Sequence, residues 1–208
     1  MTGALFATLL TLRATLSSPP PASVRPLSPD EQAAMVGTTW REGCPVPLSE
    51  LRLVSVPHLD PQGRTLAGRL VVHQDHARAV ATVFERLHGL GFVVPSVRPA
   101  WEFGGDDDAM MRANNTSAFN CRAIGGTSTW SEHAWGHALD LNPLWNPYLH
   151  GGKVDPPEGA PFVERDPARP GTITAEGPVV ALFREIGWRW GGLWSRAKDY
   201  QHFSATGR

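Results

Sequence analysis

Ser131-Glu132-His133-Ala134-Trp135-Gly136-His137-Ala138-Leu139-Asp140 is the stretch around which the chain is organised. It offers an imidazole and a carboxylate seven residues apart with a glycine between them. Asp199-Tyr200-Gln201-His202 then offers a carboxylate three residues before another imidazole. Gly136 permits a sharp turn after His133. Ala138-Leu139-Asp140 reads as a strand on which Ala138 and Asp140 share one face, a small residue beside an acid. His137 falls on the face of Leu139 and stays outside the set. Two His and one Asp make the three protein ligands that a catalytic zinc keeps while leaving a fourth position open. A further carboxylate is the general base that such a site needs. His133, Asp140 and His202 are therefore the candidate ligands of one Zn2+ per chain, and Asp199 is the candidate base. Each half alone is weak, because eight His and twenty acidic residues produce such pairs by chance.

The pattern S-x-H-x-x-G-x-A-x-D followed by D-x-x-H resembles the zinc D-alanyl-D-alanine carboxypeptidase and L-alanyl-D-glutamate endopeptidase family of cell-wall peptidases. Asn114 to Arg122, Asn142-Pro143, Asn146-Pro147-Tyr148 and Gly187 to Gly192 carry the likeness further. It covers residues 92–204 well and 45–91 loosely. The resemblance implies zinc at His133, Asp140 and His202 and a base at Asp199; many relatives carry Glu at that last position, which has a longer reach. It also implies an α+β fold, with a small, largely antiparallel sheet carrying the zinc site and two or three helices covering the other face. An Arg near this point in the family orients substrate and meets charge on the carbonyl oxygen. Arg122 fits that task, with Arg112 as the competing candidate. Ser131, the first residue of the motif, is a candidate substrate contact.

The implied activity is hydrolysis of a peptide bond in peptidoglycan stem peptides, as a D-Ala-D-Ala carboxypeptidase or, alternatively, an L-Ala-D-Glu-type endopeptidase. A reading from another class is a non-catalytic, zinc-stabilised cell-wall binding module. Asp199 argues against it, since binding alone needs no base. A cytoplasmic dipeptidase is a third reading, expected to have free thiols and no exported leader. A glycosidase would need two carboxylates flanking a sugar bond, and no such pair is separable from the zinc site.

Composition bounds these readings. A chain of 208 residues with 41% hydrophobic content fits one domain with its own core. A net charge of -1 gives no case for nucleic acid or an anionic membrane as partner. No run approaches the apolar length of a membrane span, and a monomer is expected. Residues 4–12 are apolar like a signal peptide's hydrophobic region, yet no Lys or Arg precedes them and Arg13 follows. Residues 17–27 read as a Pro/Ser linker, so 1–27 are taken as leader and linker and 28–208 as the domain, in an extracytoplasmic location. Cys44 and Cys121 match no zinc spacing. They are two buried thiols in a cytosolic protein, or one disulfide in an exported one.

Local signals place the elements. Ser28-Pro29-Asp30-Glu31 starts a helix that Gly37 ends. Apolar segments at 51–56 and 66–72 read as strands joined through Asp60-Pro61-Gln62-Gly63. Asp75 caps a helix whose apolar positions Ala79, Val80, Val83, Phe84 and Leu87 keep the helical period. Phe92-Val93-Val94 starts another strand. Asp106-Asp107-Asp108 reads as a helix N-terminus rather than a calcium or substrate site. Residues 151–176 read as a long loop that walls the cleft, and Ala175 to Ile186 as a helix. Trp188, Trp190 and Trp194 are expected mainly in the core, with a cleft-lining tryptophan as the alternative.

Overall fold

The computed structural model describes residues 21–208, so the apolar stretch at 4–12 lies outside the described residues. Folded structure begins before Ser28. Ser23–Pro26 form strand β1, antiparallel to the next strand from Ser23↔Ser55 to Pro26↔Arg52. The Pro/Ser composition that suggested a linker is compatible with an edge strand, where a missing N–H removes no bond toward solvent. Helix α1 (Pro29–Met35) follows. Ser28 Oγ accepts from Glu31 N while the Glu31 carboxylate accepts from Ser28 N, a reciprocal cap.

Strands β2 (Leu51–Leu59) and β3 (Thr65–His73) form a hairpin whose turn is tied by the Asp60 carboxylate, which accepts from Gln62 N and Arg64 N. Helix α2 (Gln74–Gly89) lies on this sheet and buries Ala77, Val80, Ala81, Val83, Phe84 and Leu87. Its cap is His73 rather than Asp75. The His73 Nδ1 accepts from Asp75 N at 3.3 Å, and Asp75 occupies the first turn, where the macrodipole favours an anion.

Phe92 to Val94 make only one parallel bridge, Leu59↔Val93. Pro95 lacks the N–H to carry the ladder on. Strand β4 (Ser96–Val97) comes after it, then helix α3 (Asp107–Arg112), which Asp106 caps by accepting from Ala109 N at 2.9 Å. Strand β5 (Asn115–Thr116) runs parallel to β4.

The C-terminal half is built from short strands: β6 (Ala138–Asp140), β7 (Tyr148–His150) and β8 (Lys153–Asp155), then helix α4 (Pro178–Glu185), then β9 (Arg189–Trp190), β10 (Ala197–Asp199) and β11 (His202–Ser204). They assemble as two antiparallel sheets, β6-β11-β9 and β10-β7-β8. The class is α+β, as expected, with the expected single sheet divided among three three-stranded sheets and the β4–β5 pair. The supposed loop at 151–176 holds β8 and a 3-10 turn at Pro157–Phe162. Helix α4 starts at Pro178, whose fixed φ suits a first helical position.

One core joins the halves. Leu139, Leu141, Phe183, Trp188, Trp190 and Phe203 pack with Val54, Leu70, Val80 and Phe84. The Phe183 and Phe203 rings stack at 4.0 Å between centroids. A disulfide joins Cys44 to Cys121.

Candidate metal centre and catalytic cleft

The core fixes which way the site residues point. Leu139 and Phe203 are fully buried, so their strand neighbours Asp140 and His202 emerge on the opposite face. The register His202↔Asp140 puts those two side by side. His133 arrives from a 3-10 turn, Glu132–Trp135, capped by Ser131 Oγ accepting from His133 N at 3.3 Å. Gly136 ends the turn at φ 68°, and a Cβ there would lie 2.6 Å from His73 N. That close approach, with His73 N donating to Gly136 O at 3.0 Å, sets the turn against the end of β3.

Donor atoms of His133, Asp140 and His202 all lie within 4.8 Å of one another, and all three residues are buried. His133 Nε2 is 3.2 Å from Asp140 Oδ2, His202 Nδ1 is 3.1 Å from Asp140 Oδ1, and the two ring nitrogens are 3.3 Å apart. The remaining nitrogen of His133, Nδ1, donates to Ala118 O at 2.7 Å, which leaves Nε2 with a lone pair toward the cluster. Burial opposes ionising Asp140, yet the two imidazoles outweigh it and hold the carboxyl well below the usual range. Burial likewise opposes charge on His202, and Asp140 overcomes it, pushing the imidazole up to about 9. Two imidazoles and a carboxylate converging on one point are the donor set that suits zinc, which binds histidines in their neutral form, so the residues fit that metal.

Asp199 stands at the end of β10 with Oδ1 buried and without a hydrogen-bond partner. Burial pushes its carboxyl up to about 7; Asp140 and Asp107 add to the rise and His202 opposes it. An orphaned carboxylate oxygen beside a donor cluster marks a place that a ligand completes.

These residues open on a cleft of about 760 Å³ whose wall also includes Arg122, Ser131, Glu132, Tyr148 and Trp194. Arg122 pairs with Asp107 through Nη2 and Oδ2 at 2.7 Å. Arg112, the other arginine candidate, is not part of this wall. Ser131 is buried, with its oxygen engaged as the turn's cap. Glu132 also lines the cleft, with Oε2 buried and unpartnered. Of the three tryptophans near the C-terminus, Trp188 and Trp190 are core and Trp194 lines the cleft.

Three cleft carboxylates escaped the sequence reading as site residues: Asp107, Asp108 and Asp155. Asp107 reads in sequence as part of a helix N-terminus, which it also is. Burial raises its pKa, against the pull of Arg122. Asp155 is brought in by strand pairing, through the register Asp155↔Tyr148↔Asp199 across β8, β7 and β10. No local signal announces that.

The model of the family described as D-alanyl-D-alanine carboxypeptidase matches residues 125–205. The match spans His133, Asp140, Asp199 and His202 and begins after Arg122. The likeness seen in the sequence is thus upheld over a segment narrower than 92–204. No curated protein and no solved structure matches the chain.

Proposed function

We propose that this chain, whose residues 125–205 match the model of the D-alanyl-D-alanine carboxypeptidase family, is a zinc peptidase that removes the terminal residue of peptidoglycan stem peptides. The observation that carries the reading is the convergence of His133, Asp140 and His202 in an open cleft beside Asp199, a carboxylate with an unpartnered oxygen.

His133, Asp140 and His202 would hold the metal. Bound zinc supplies a Lewis acid that polarises a carbonyl and acidifies water. Asp199 takes the proton from the attacking water and returns it to the leaving amine. Asp107 fixes one edge of the Arg122 guanidinium. The rest of the fork can meet the developing charge on the carbonyl oxygen or a substrate carboxylate. Ser131 Oγ accepts from His133 N, which leaves its hydroxyl hydrogen free to donate to substrate. The Cys44–Cys121 disulfide supports an extracytoplasmic location, where such bonds persist.

The test uses two synthetic stem peptides ending in D-Ala-D-Ala, one with a free C-terminus and one amidated. Release of terminal D-Ala from the free peptide alone is expected. Equal cleavage of both would replace the carboxypeptidase with an endopeptidase. If neither peptide nor intact cell wall is cut at any peptide bond, the peptidase reading is wrong.

A further inference from the structure

Each imidazole of a metal site needs one nitrogen free for the ion and the other held by the protein, because the second bond fixes the tautomer and the ring's orientation. Ala118 O performs this for His133. For His202 the partner comes from Arg208. Its Nε2 lies 3.0 Å from the main-chain oxygen of Arg208. That oxygen also accepts from Ser204 Oγ at 2.9 Å, and Ser204 Oγ in turn accepts from Gly207 N at 3.1 Å. Trp194 Nε1 donates to Gly207 O at 3.0 Å. Gly207 has φ 82°, and a Cβ on it would lie 2.6 Å from Arg189 Cδ, so the bend is tight and favours glycine.

We infer that residues 204–208 are a strap that positions His202, with the main-chain oxygen of Arg208 taking the Nε2 proton so that Nδ1 faces the metal. The inference rests on the metal reading above. Ser204 anchors the strap, since it is fully buried on the same strand as His202 and bonds both ends of the bend. The Arg208 side chain lines the cleft, 3.8 Å from the Glu132 carboxylate, next in sequence to His133. The strap therefore reaches both segments that supply histidine ligands. Without it, nothing would hold Nε2, and a half-turn of the ring would put the carbon Cδ2 where Nδ1 faces the metal.

The test measures zinc dissociation constants by competition with a chelator of known affinity. It compares the full chain, a variant lacking residues 207–208, and the substitutions Ser204→Ala, Arg208→Ala and His202→Ala. Losing such a partner typically weakens metal binding about 10–100-fold, and that is the loss expected of the deletion. Ser204→Ala should weaken binding in the same direction by less, and Arg208→Ala should weaken it less than the deletion because the accepting oxygen belongs to the main chain. A long-range 1H–15N spectrum of the zinc-loaded full chain should show His202 protonated at Nε2 and metal-shifted at Nδ1. The reverse assignment overturns the proposal, as does wild-type affinity in both the deletion and Ser204→Ala. Should the deletion fail to fold, Ser204→Ala and the spectrum decide. Loss of zinc in His202→Ala with no loss in the strap variants would reject the strap alone; retention of zinc in His202→Ala would reject the ligand set beneath it.

Discussion

Asp199 holds a carboxylate where the fold gives one of its oxygens no partner, and two consequences follow at the scale of the residue. Asp199→Asn keeps shape and removes the proposed base, so turnover should fall roughly 10²–10⁴-fold while the metal content of the purified protein stays at the wild-type level. The second consequence concerns stability without metal. Burial lifts the Asp199 pKa from its ordinary value to about 7, so folding takes up a proton there. The favourable contribution is complete below about pH 4 and is lost as pH rises through 7. Metal-free Asp199→Asn should therefore melt above the metal-free wild type at pH 8, with the gap narrowing as pH falls through 7 and closing near pH 4. A gap that does not change with pH would argue against a buried titrating carboxylate. Asp107 makes a related case. Asp107→Asn leaves Arg122 without its ionic partner, and kcat/KM should drop by about 10–100-fold, the size of a charged hydrogen bond, with zinc affinity unchanged. That His133, Asp140 and His202 come together, with Asp199 in the same cleft, was legible in the sequence because a pair of short motifs carries their spacing. Asp107 was not, because a run of three aspartates before a helix has a sufficient local explanation, and its partner Arg122 meets it only through tertiary packing.

Glycines at two joints couple the elements to the site. At Gly136 the backbone stands at φ 68° and a Cβ would reach 2.6 Å from His73 N. Gly136→Ala should cost about 1–2 kcal/mol from the left-handed conformation alone, and the clash with β3 adds to it. Because the residue joins the His133 turn to β6, the variant should show both a lower melting temperature and weaker zinc binding. At Gly191 a Cβ would lie 2.8 Å from Asp199 Cβ and 3.4 Å from His202 Cβ. Gly191→Ala should therefore disturb the base first, lowering kcat more than zinc affinity; the opposite ranking would count against the geometry. The long elements were readable, since α2 repeats apolar residues at the helical period and β2 and β3 flank a clear turn. The failures have physical causes. His73 can cap α2 because an imidazole nitrogen accepts as well as a carboxylate does. Strands β7, β8, β9 and β10, two or three residues each, exist only through partners that fold against them. A three-residue segment such as Lys153–Asp155 has no periodicity to detect, and the Gly and Pro around it make the whole region look like a loop.

Across the whole molecule, the Cys44–Cys121 disulfide spans 77 residues of sequence. It ties the segment after α1 to the segment leading into the His133 turn. Cys121 is buried in a second apolar cluster with Met35, Leu51, Leu53, Phe119 and Ala134, and Ala134 belongs to that turn. Cys121 N also donates to Thr39 O, so the covalent link runs beside a backbone bond between the same two regions. In the chain-entropy treatment, closing a loop of this length stabilises the fold by about 4–5 kcal/mol. For a chain of this size each kcal/mol moves the melting temperature by roughly 2–4 °C, so reduction should lower it by about 10–15 °C. The buried cluster and the backbone bond persist without the sulfur link, so the reduced protein should still fold at low temperature and still bind zinc. The measurement is a pair of thermal melts of zinc-loaded protein, oxidised and after reduction and alkylation. A shift of only a degree or two would mean that packing of Phe119, Ala134 and Met35 already fixes this junction. Loss of zinc on reduction at low temperature would mean that the disulfide, rather than the packing around Ala134, sets the position of His133.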